Sequence, residues 1–386
     1  MTILGELFGQ QKRGKFVRLL LYDSAQMTRG CSDGMSKGVT DFLHQQGAFV
    51  LPPHKTCQKL LRLYFERVYP YTPVLNRVDF VCQYMNETYS TFLFQCILTS
   101  VAPYMSSLML AECGYMDRAS AQKSFFAKAQ LLYDLDAEKS QVSLLQGSLI
   151  LTSSYFAFGL DKDCRYWLAN AVRLATQMGL HRKQIAEQLE PPAQELFARI
   201  FWVTFNKDVL MAISGRNNVR RLIDQHCDIA ELRAEDFIED DLTDHHHWRN
   251  ILPTKTFLQH LYLVHNTTLS KLCARFISTV RVPSPVAQNY RPRDFEHELV
   301  QWRKALPYEL RPESVTAWTH DNHWILVLRA MSYRFESVLW REERKLHDFD
   351  EGRTMLRKQQ DAMLELDMIL ERFMLHNLVE LCPFSM

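Results

Sequence analysis

The chain has 386 residues, of which 47% are apolar, 12% aromatic and 23% charged, a balance that excludes a mostly disordered, collagen-like or disulfide-scaffold protein. Forty-five lysines and arginines against 44 aspartates and glutamates leave a formal charge of +1, so no overall field draws in a polyanion such as DNA or RNA. At roughly 150 residues per domain the length allows two or three domains or one large helical unit.

In chain order, Met1 to Lys15 places Glu6 ahead of Lys12, Arg13 and Lys15, the reverse of a secretory leader, and no export is expected. After Leu51-Pro52-Pro53, residues Cys57, Leu61, Tyr64 and Val68 form the i, i+4, i+7, i+11 stripe of a helix that must stop before Pro70. Thr88 to Ala111 and Ser140 to Leu160 carry no charge and are long enough to span a membrane. Both are rich in Ser, Thr and Gln, whose insertion cost accumulates, so buried core helices are expected instead. Ala119 to Tyr133, Ser143 to Phe158 and Cys164 to Met178 follow one another with short polar connections, which predicts antiparallel helical hairpins. Leu168, Ala171, Ala175 and Met178 share one face of the third segment, and Gly179 stands where a left-handed residue would end it. His181 and Arg182 come next as cations at the negative pole of the helix dipole.

Pro191-Pro192 is placed to start the next helix. Ala193 to Ile213 is apolar on almost every side and predicts a central helix. Lys207 and Asp208 interrupt it, and must reach a partner or the helix edge to avoid a large desolvation cost. Residues 217–253, with Asp236, Glu239, Asp240, Asp241, Asp244 and His245 to His247, lose periodicity and predict an exposed acidic connection. Four more helical stripes come after it: Leu261, Thr268, Leu272, Phe276 and Val280; Phe295, Leu299, Trp302 and Leu306; Trp324, Leu328, Met331, Phe335 and Val338; and Met363, Leu366, Leu370 and Phe373. Val282 to Arg293, with Pro283, Pro285 and Pro292, reads as a loop. Nothing alternates long enough to require a sheet, and no fixed-period repeat appears. The expected fold is all-α, a large multi-helix bundle of antiparallel helical hairpins. Its expected parts are a lead-in at 1–50, a first helical half at 51–216, an acidic connecting loop at 217–253 and a second helical half at 254–386.

Motifs for chemistry are missing. The nine cysteines, at 31, 57, 82, 96, 113, 164, 227, 273 and 382, form no C-x-x-C or Cys/His knuckle, and their odd number suits free thiols in cytosol or nucleus. The sequence holds no G-x-S-x-G, no G-x-x-x-x-G-K-[ST] and no G-x-G-x-x-G, which removes the usual nucleophile elbow and phosphate cradles. His297-Glu298-Leu299-Val300-Gln301 lacks the second histidine of a helical zinc site. The run His245 to His247 reads as a solvated loop rather than a metal site, and His260 and His265, five apart, do not share a helical face. Arg216, Arg220 and Arg221, and Arg341, Arg344 and Lys345 beside Glu342 and Glu343, read as helix-end and surface charge rather than a nucleic-acid footprint. No catalytic, metal or cofactor residue is assigned, and no cofactor is expected.

Five strings, in order, carry a family resemblance. They are Thr2-Ile-Leu-Gly-Glu; Leu51-Pro-Pro with Leu60-Leu-Arg-Leu-Tyr-Phe-Glu-Arg-Val-Tyr-Pro-Tyr-Thr-Pro-Val-Leu-Asn-Arg-Val-Asp-Phe; Arg165-Tyr-Trp-Leu-Ala-Asn-Ala-Val-Arg-Leu-Ala-Thr-Gln-Met-Gly-Leu-His-Arg; Ile200-Phe-Trp through Asp208 with Ser214-Gly-Arg; and Trp302-Arg-Lys-Ala-Leu-Pro-Tyr-Glu-Leu-Arg-Pro. From about Thr2 to about Trp340 the chain resembles the regulatory, or middle homology, domain of fungal transcription factors, which normally follows a binuclear zinc cluster. Asn217 stands where the family usually has proline, and the cysteine spacings provide no zinc cluster.

The resemblance implies a helical receiver that restrains or permits activation, open to a small-molecule effector, and no catalyst. The resulting expectation is a nuclear fungal transcriptional regulator of a metabolic or secondary-metabolite gene set. It would act without its own DNA-reading module, through protein partners such as a zinc-cluster activator or a second copy of itself. The alternative is a helical scaffold or binding protein, a truncated paralogue without a regulatory role. No membrane association is expected.

Overall fold

Short polar residues that can bond their own backbone stand ahead of most apolar runs, and they start the helices. In the computed structural model Asn76, Ser90, Ser106, Asp117, Ser140 and Asp163 each accept a backbone N–H from the first turn of the next helix, which satisfies donors that a helix start leaves open. The structure describes residues 35–154, 161–214, 219–237, 248, 250–254, 256–281, 293–347 and 349–382. Among them every regular element is helical, so the expected all-α bundle is what forms. The chain divides into two units, residues 1–204, 223–231 and 238–254 in one and 205–222, 232–237 and 255–386 in the other.

The first unit contains α1 (Lys37–Gln45), α2 (His54–Arg67), α3 (Arg77–Met85), α4 (Thr91–Val101), α5 (Ser107–Glu112), α6 (Arg118–Asp134), α7 (Gln141–Leu151), α8 (Cys164–Gln177) and α9 (Lys183–Ala186), with the part of α10 (Pro191–Ser214) up to Thr204. Helix α4 is its hub: every residue from Phe92 to Val101 is buried, and it packs on α2, α6 and α7, while α8 packs on α7. The uncharged runs that matched a membrane span thus contribute the core helices α4 and α7, and residues 155–160 of the second run lie outside the described residues. No helix among the described residues is long and apolar enough to cross a membrane. Their polar groups turn back on the backbone, Thr99 onto the Gln95 carbonyl at 2.8 Å and Ser148 onto Leu144 at 2.6 Å. Gln95 and Gln146 reach the loop carbonyls of Ala48 and Val74. Gly147 lets α7 approach α4 closely, because a Cβ there would lie 2.4 Å from the Phe92 ring and 3.0 Å from Cys96 Sγ.

The second unit holds α10 from Phe205 on, α11 (Phe257–Phe276), α12 (Asp294–Ala305), α13 (His323–Arg344) and α14 (Phe349–Leu375). Helix α11 packs on α12 and α13, and α13 packs along α14. Leu261, Leu272 and Phe276 of the first stripe, and Trp324, Leu328, Phe335 and Val338 of the third, are buried as their period requires. Of the fourth stripe Phe373 is buried as expected, while Met363 and Leu370 are not. Ala362, Ile369 and Phe373 face inward, whereas Met363 and Leu370 are 53% and 49% exposed. The helix is apolar on more than one side, and periodicity alone could not choose between them.

The described parts of 217–253 are not wholly exposed as expected. Leu222, Leu232, Phe237, Trp248, Ile251 and Leu252 are buried, and short 3₁₀ turns at Asp224–His226 and Ala234–Phe237 carry parts of the segment. Isolated large apolar residues anchor it without any helical period to advertise them. Residues 1–34, the run Ile238 to His247 with Glu239, Asp240, Asp241 and Asp244, the Gly215–Arg216 turn with Asn217, and the proline loop at 282–292 lie outside the described residues.

The α13–α14 connection is pinned by His347. Its Nε2 lies 2.7 Å from Oε1 of Glu343, and its Nδ1 contacts the Glu351 carboxylate. Glu343 is buried and also accepts the Arg293 N–H at 3.2 Å. Hydrogen bonds to Glu343 and then Glu351 raise the imidazole pKa above its ordinary 6.5, against an opposing effect of burial. A raised folded-state pKa means the stabilisation is fully present below 6.5 and is lost as pH rises through the shifted value. His347→Gln is thus expected to lower the thermal midpoint most in mildly acidic buffer, with the gap to wild type narrowing as pH rises. A gap that is constant or widens with pH would refute this assignment.

Candidate functional site

The strings that mark this sequence build joints between helices wherever they fall among the described residues; Thr2-Ile-Leu-Gly-Glu and the Gly215–Arg216 pair do not. In the string opening at Leu60, Leu60, Leu61, Tyr64, Phe65, Val68 and Tyr69 are buried. Arg77, 3% exposed, donates to the Pro253 carbonyl at 2.9 Å and lies 5.9 and 5.8 Å from the ring centroids of Phe65 and Tyr69. Such a cation is tolerable inside because its charge is spread over a guanidinium and faced by aromatic rings.

Helix α8 does two things. At its first turn Trp167, fully buried, meets Tyr133 at 5.1 Å, Tyr166 at 5.2 Å and Phe126 at 6.3 Å, all edge-on. Lys162 sits 5.5 and 5.3 Å from the Tyr133 and Tyr166 rings and pairs with Asp134. Burial, with a contribution from Tyr166, pushes the Tyr133 hydroxyl up to about 12. At the other end Gly179 takes φ +75°, and Leu180 N–H returns to the Ala175 carbonyl at 3.0 Å, the helix-terminating geometry expected there.

The attachment of Ile223–Glu231 to the rest of the first unit was not legible in the sequence. The Lys183 N–H donates to Asp228 Oδ1 at 2.8 Å, and the Asp228 N–H donates to the His181 carbonyl at 3.1 Å. Trp202 Nε1 donates to the Ala230 carbonyl at 2.8 Å. This irregular segment is thereby stitched to the α8–α9 connection, to the start of α9 and to α10. His181 is not the helix-end cation expected. Burial and then the Arg182 charge lower its pKa, and its Nε2 accepts from Arg182 Nε at 3.2 Å, so the ring is neutral near pH 7.

In the second unit Asp208 has the partners that its position demanded. Its side chain is fully buried and accepts from the N–H groups of Arg221, at 3.0 and 3.1 Å, and Leu222, at 3.0 Å. The Arg220 and Arg221 guanidiniums stand 3.7 Å away, and Arg220 also covers the Phe205 ring at 4.9 Å. Burial pushes the carboxyl up, while the two N–H donors and the two cations pull it down. Arg220 and Arg221, read from sequence as surface charge, are half of this clamp. The string at Trp302 ties three helices together. Trp302 Nε1 donates to Thr268 Oγ1 at 2.9 Å, and Arg303 pairs with Glu336 at 2.7 Å and stacks on Tyr333 at 4.1 Å. Arg311 Nε and Nη2 bond the Leu306 and Lys304 carbonyls at 2.7 and 2.8 Å, closing the open end of α12.

The described residues hold no group of three or more His, Cys, Asp or Glu placed to bind a metal. Of the two single histidines considered, His260 stacks on Phe237 at 5.2 Å and burial lowers the pKa of His265. The described cysteines are free thiols. Burial pushes Cys57 and Cys382 up to about 12 and Cys113 up to about 11, and Cys96 and Cys273 are also raised. These thiols stay protonated near neutrality and are poor nucleophiles.

Comparison with known proteins agrees with this reading of the strings. The model of the fungal specific transcription factor domain matches residues 61–304. Over 347 residues the chain is 29% identical to the fusaric acid cluster transcription factor FUB12 of Gibberella moniliformis, covering 89% of this chain and 51% of that protein. It is 33% identical over 208 residues to cutinase transcription factor 1 beta of Fusarium vanettenii, covering 53% and 24%. It is 27% identical over 301 residues to transcription factor cpaR of Aspergillus oryzae, covering 69% and 48%. The chain thus spans about half the length of FUB12. No solved structure gives a significant match.

Proposed function

We infer, because the chain belongs to the fungal specific transcription factor domain family, that it is a transcriptional regulator of a metabolic or secondary-metabolite gene set, working in the nucleus through protein partners. The observation that carries this reading is the reach of the similarity. It covers 89% of the chain in alignment with a protein named for a biosynthetic gene cluster, beyond the residues 61–304 that the family model matches.

The chemistry of the side chains supports a receiver rather than a catalyst. The arginines, tryptophans and buried acid that define the family strings are committed to joints: Arg77 to Pro253, Trp202 to Ala230, Asp208 to the 221–222 backbone and Trp302 to Thr268. A domain whose polar side chains hold helices together acts through the surfaces those helices present. Partners such as a zinc-cluster activator would then supply contact with DNA. Deleting the gene and comparing transcripts genome-wide, under conditions in which the gene is expressed, tests this. A coordinated change in a contiguous set of genes is expected. No change would overturn the regulatory reading and leave a helical binding protein.

A further inference from the structure

Helix α14 has one covered flank and one open flank. On the covered flank Lys358 pairs with Glu296 of α12 at 3.0 Å and stands over the Trp340 ring of α13 at 4.0 Å. On the other, about 100° round the helix from the buried Ala362 and Ile369, Leu356, Met363 and Leu370 recur every seven residues, and all three are exposed. The same line begins at Gly352, and this glycine shows which side of α13 borders it: a Cβ there would lie 3.7 Å from Arg344 Cγ. Arg341 and Ser337, three and seven residues before Arg344, share that side of α13. The two helices thus border a groove with an apolar wall on α14 and a cationic wall on α13.

The charges select the occupant. Arg344 is exposed and has no ion-pair partner among the described residues. Arg341 meets Glu342 at 3.3 Å, but Lys345 shares that carboxylate. The other acids at this end, Glu343 and Glu351, are both held by His347. The next line outward on α14 runs Arg353, Gln360, Asp367 and Glu371, so it is cationic beside Leu356 and turns acidic only past Met363. An apolar stripe bordered by cations on both sides at one end suits an amphipathic helix with apolar residues at helical spacing and carboxylates at that end. A basic helix would set like charges against Arg341 and Arg344.

We propose that the open groove between α13 and α14 is a docking surface for an amphipathic helical segment of a partner protein, apolar on one face and acidic where it passes Arg341 and Arg344. The proposal rests on the reading that the chain works through protein partners, and it names the chemistry of the partner. Fluorescence anisotropy on the full purified chain tests it with a labelled synthetic helix of about four turns, carrying leucines at i, i+4, i+7 and i+11 and glutamates between them. The control has the same leucines with lysines between them. The glutamate peptide is expected to bind at least about tenfold more tightly than the lysine peptide, and the difference should shrink as salt screens the charges. Arg341→Glu combined with Arg344→Glu should reverse the preference. Met363→Ser should weaken both peptides, and circular dichroism confirms that each variant keeps its helical content.

A chain that binds neither peptide overturns the proposal, as does one that binds both alike or one whose preference survives the double arginine exchange. Light scattering reads the remaining occupant: a dimer weakened by Met363→Ser, in a chain that ignores the glutamate peptide, would assign the groove to a second copy and refute the acidic partner. Transcript changes on gene deletion read the regulatory role alone, so a failure of the docking surface and a failure of the regulatory reading are told apart.

Discussion

Asp208→Ala is expected to destabilise the chain by about 3–5 kcal/mol, the range for removing one partner of a buried, hydrogen-bonded charge pair. The carboxylate is fully buried and accepts from two backbone N–H groups, those of Arg221 and Leu222. Without it both donors are left in the interior and Arg220, whose side chain is 8% exposed, loses the carboxylate that stands 3.7 Å away. Urea unfolding of the full chain measures the loss. Asp208→Asn is the informative companion, because it retains one accepting oxygen and removes the charge. If hydrogen bonding to the 221–222 backbone dominates, it should recover part of the loss. A cost for Asp208→Ala below about 1 kcal/mol, the value of an ordinary surface pair, would show that the clamp is not a structural anchor.

Trp167→Ala should cost about 3–5 kcal/mol, as large-to-small changes of a core aromatic residue do when the surroundings cannot collapse. Trp167 is completely buried among Phe126, Tyr133 and Tyr166, and these rings come from α6 and α8, two rigid elements. Trp167→Phe should cost much less. The indole Nε1 has no hydrogen-bond partner in the protein, so phenylalanine forfeits volume and edge contacts and no polar interaction. Equal losses for the two variants would mean that the indole N–H matters after all. Unfolding followed by circular dichroism distinguishes these cases, and indole fluorescence can be compared with the wild type as a separate signal.

Particular elements show how far the sequence alone could be read. The end of α8 was legible because a glycine at position 179 takes the left-handed conformation that an L side chain avoids, and the φ of +75° is there. The starts of α3, α4, α6, α7 and α8 rest on equally local chemistry, since a capping oxygen acts on the next two or three residues and needs nothing distant. The face of α14 was not. Met363 and Leu370 and the residues next to them, Ala362 and Ile369, are all apolar, so a period of 3.6 fits more than one inward direction. Packing against α13 chose Ile369, and apolar residues such as Met363 and Leu370 were left outside.

Local chemistry thus determined the helical class, several helix starts and the stop of α8, the absence of a catalytic motif, and the family to which the chain belongs, because these depend on contacts between residues a few positions apart. Tertiary structure decided which face of each helix is inside, that Arg220 and Arg221 turn to a buried carboxylate on α10, and that Asp228 and Ala230 fasten an irregular segment to the start of α9 and to α10. These contacts join residues from 12 to 45 positions apart. Their strength comes from burial, which withdraws competing water and makes a single hydrogen bond or ion pair decisive, and burial is created by the assembled fold.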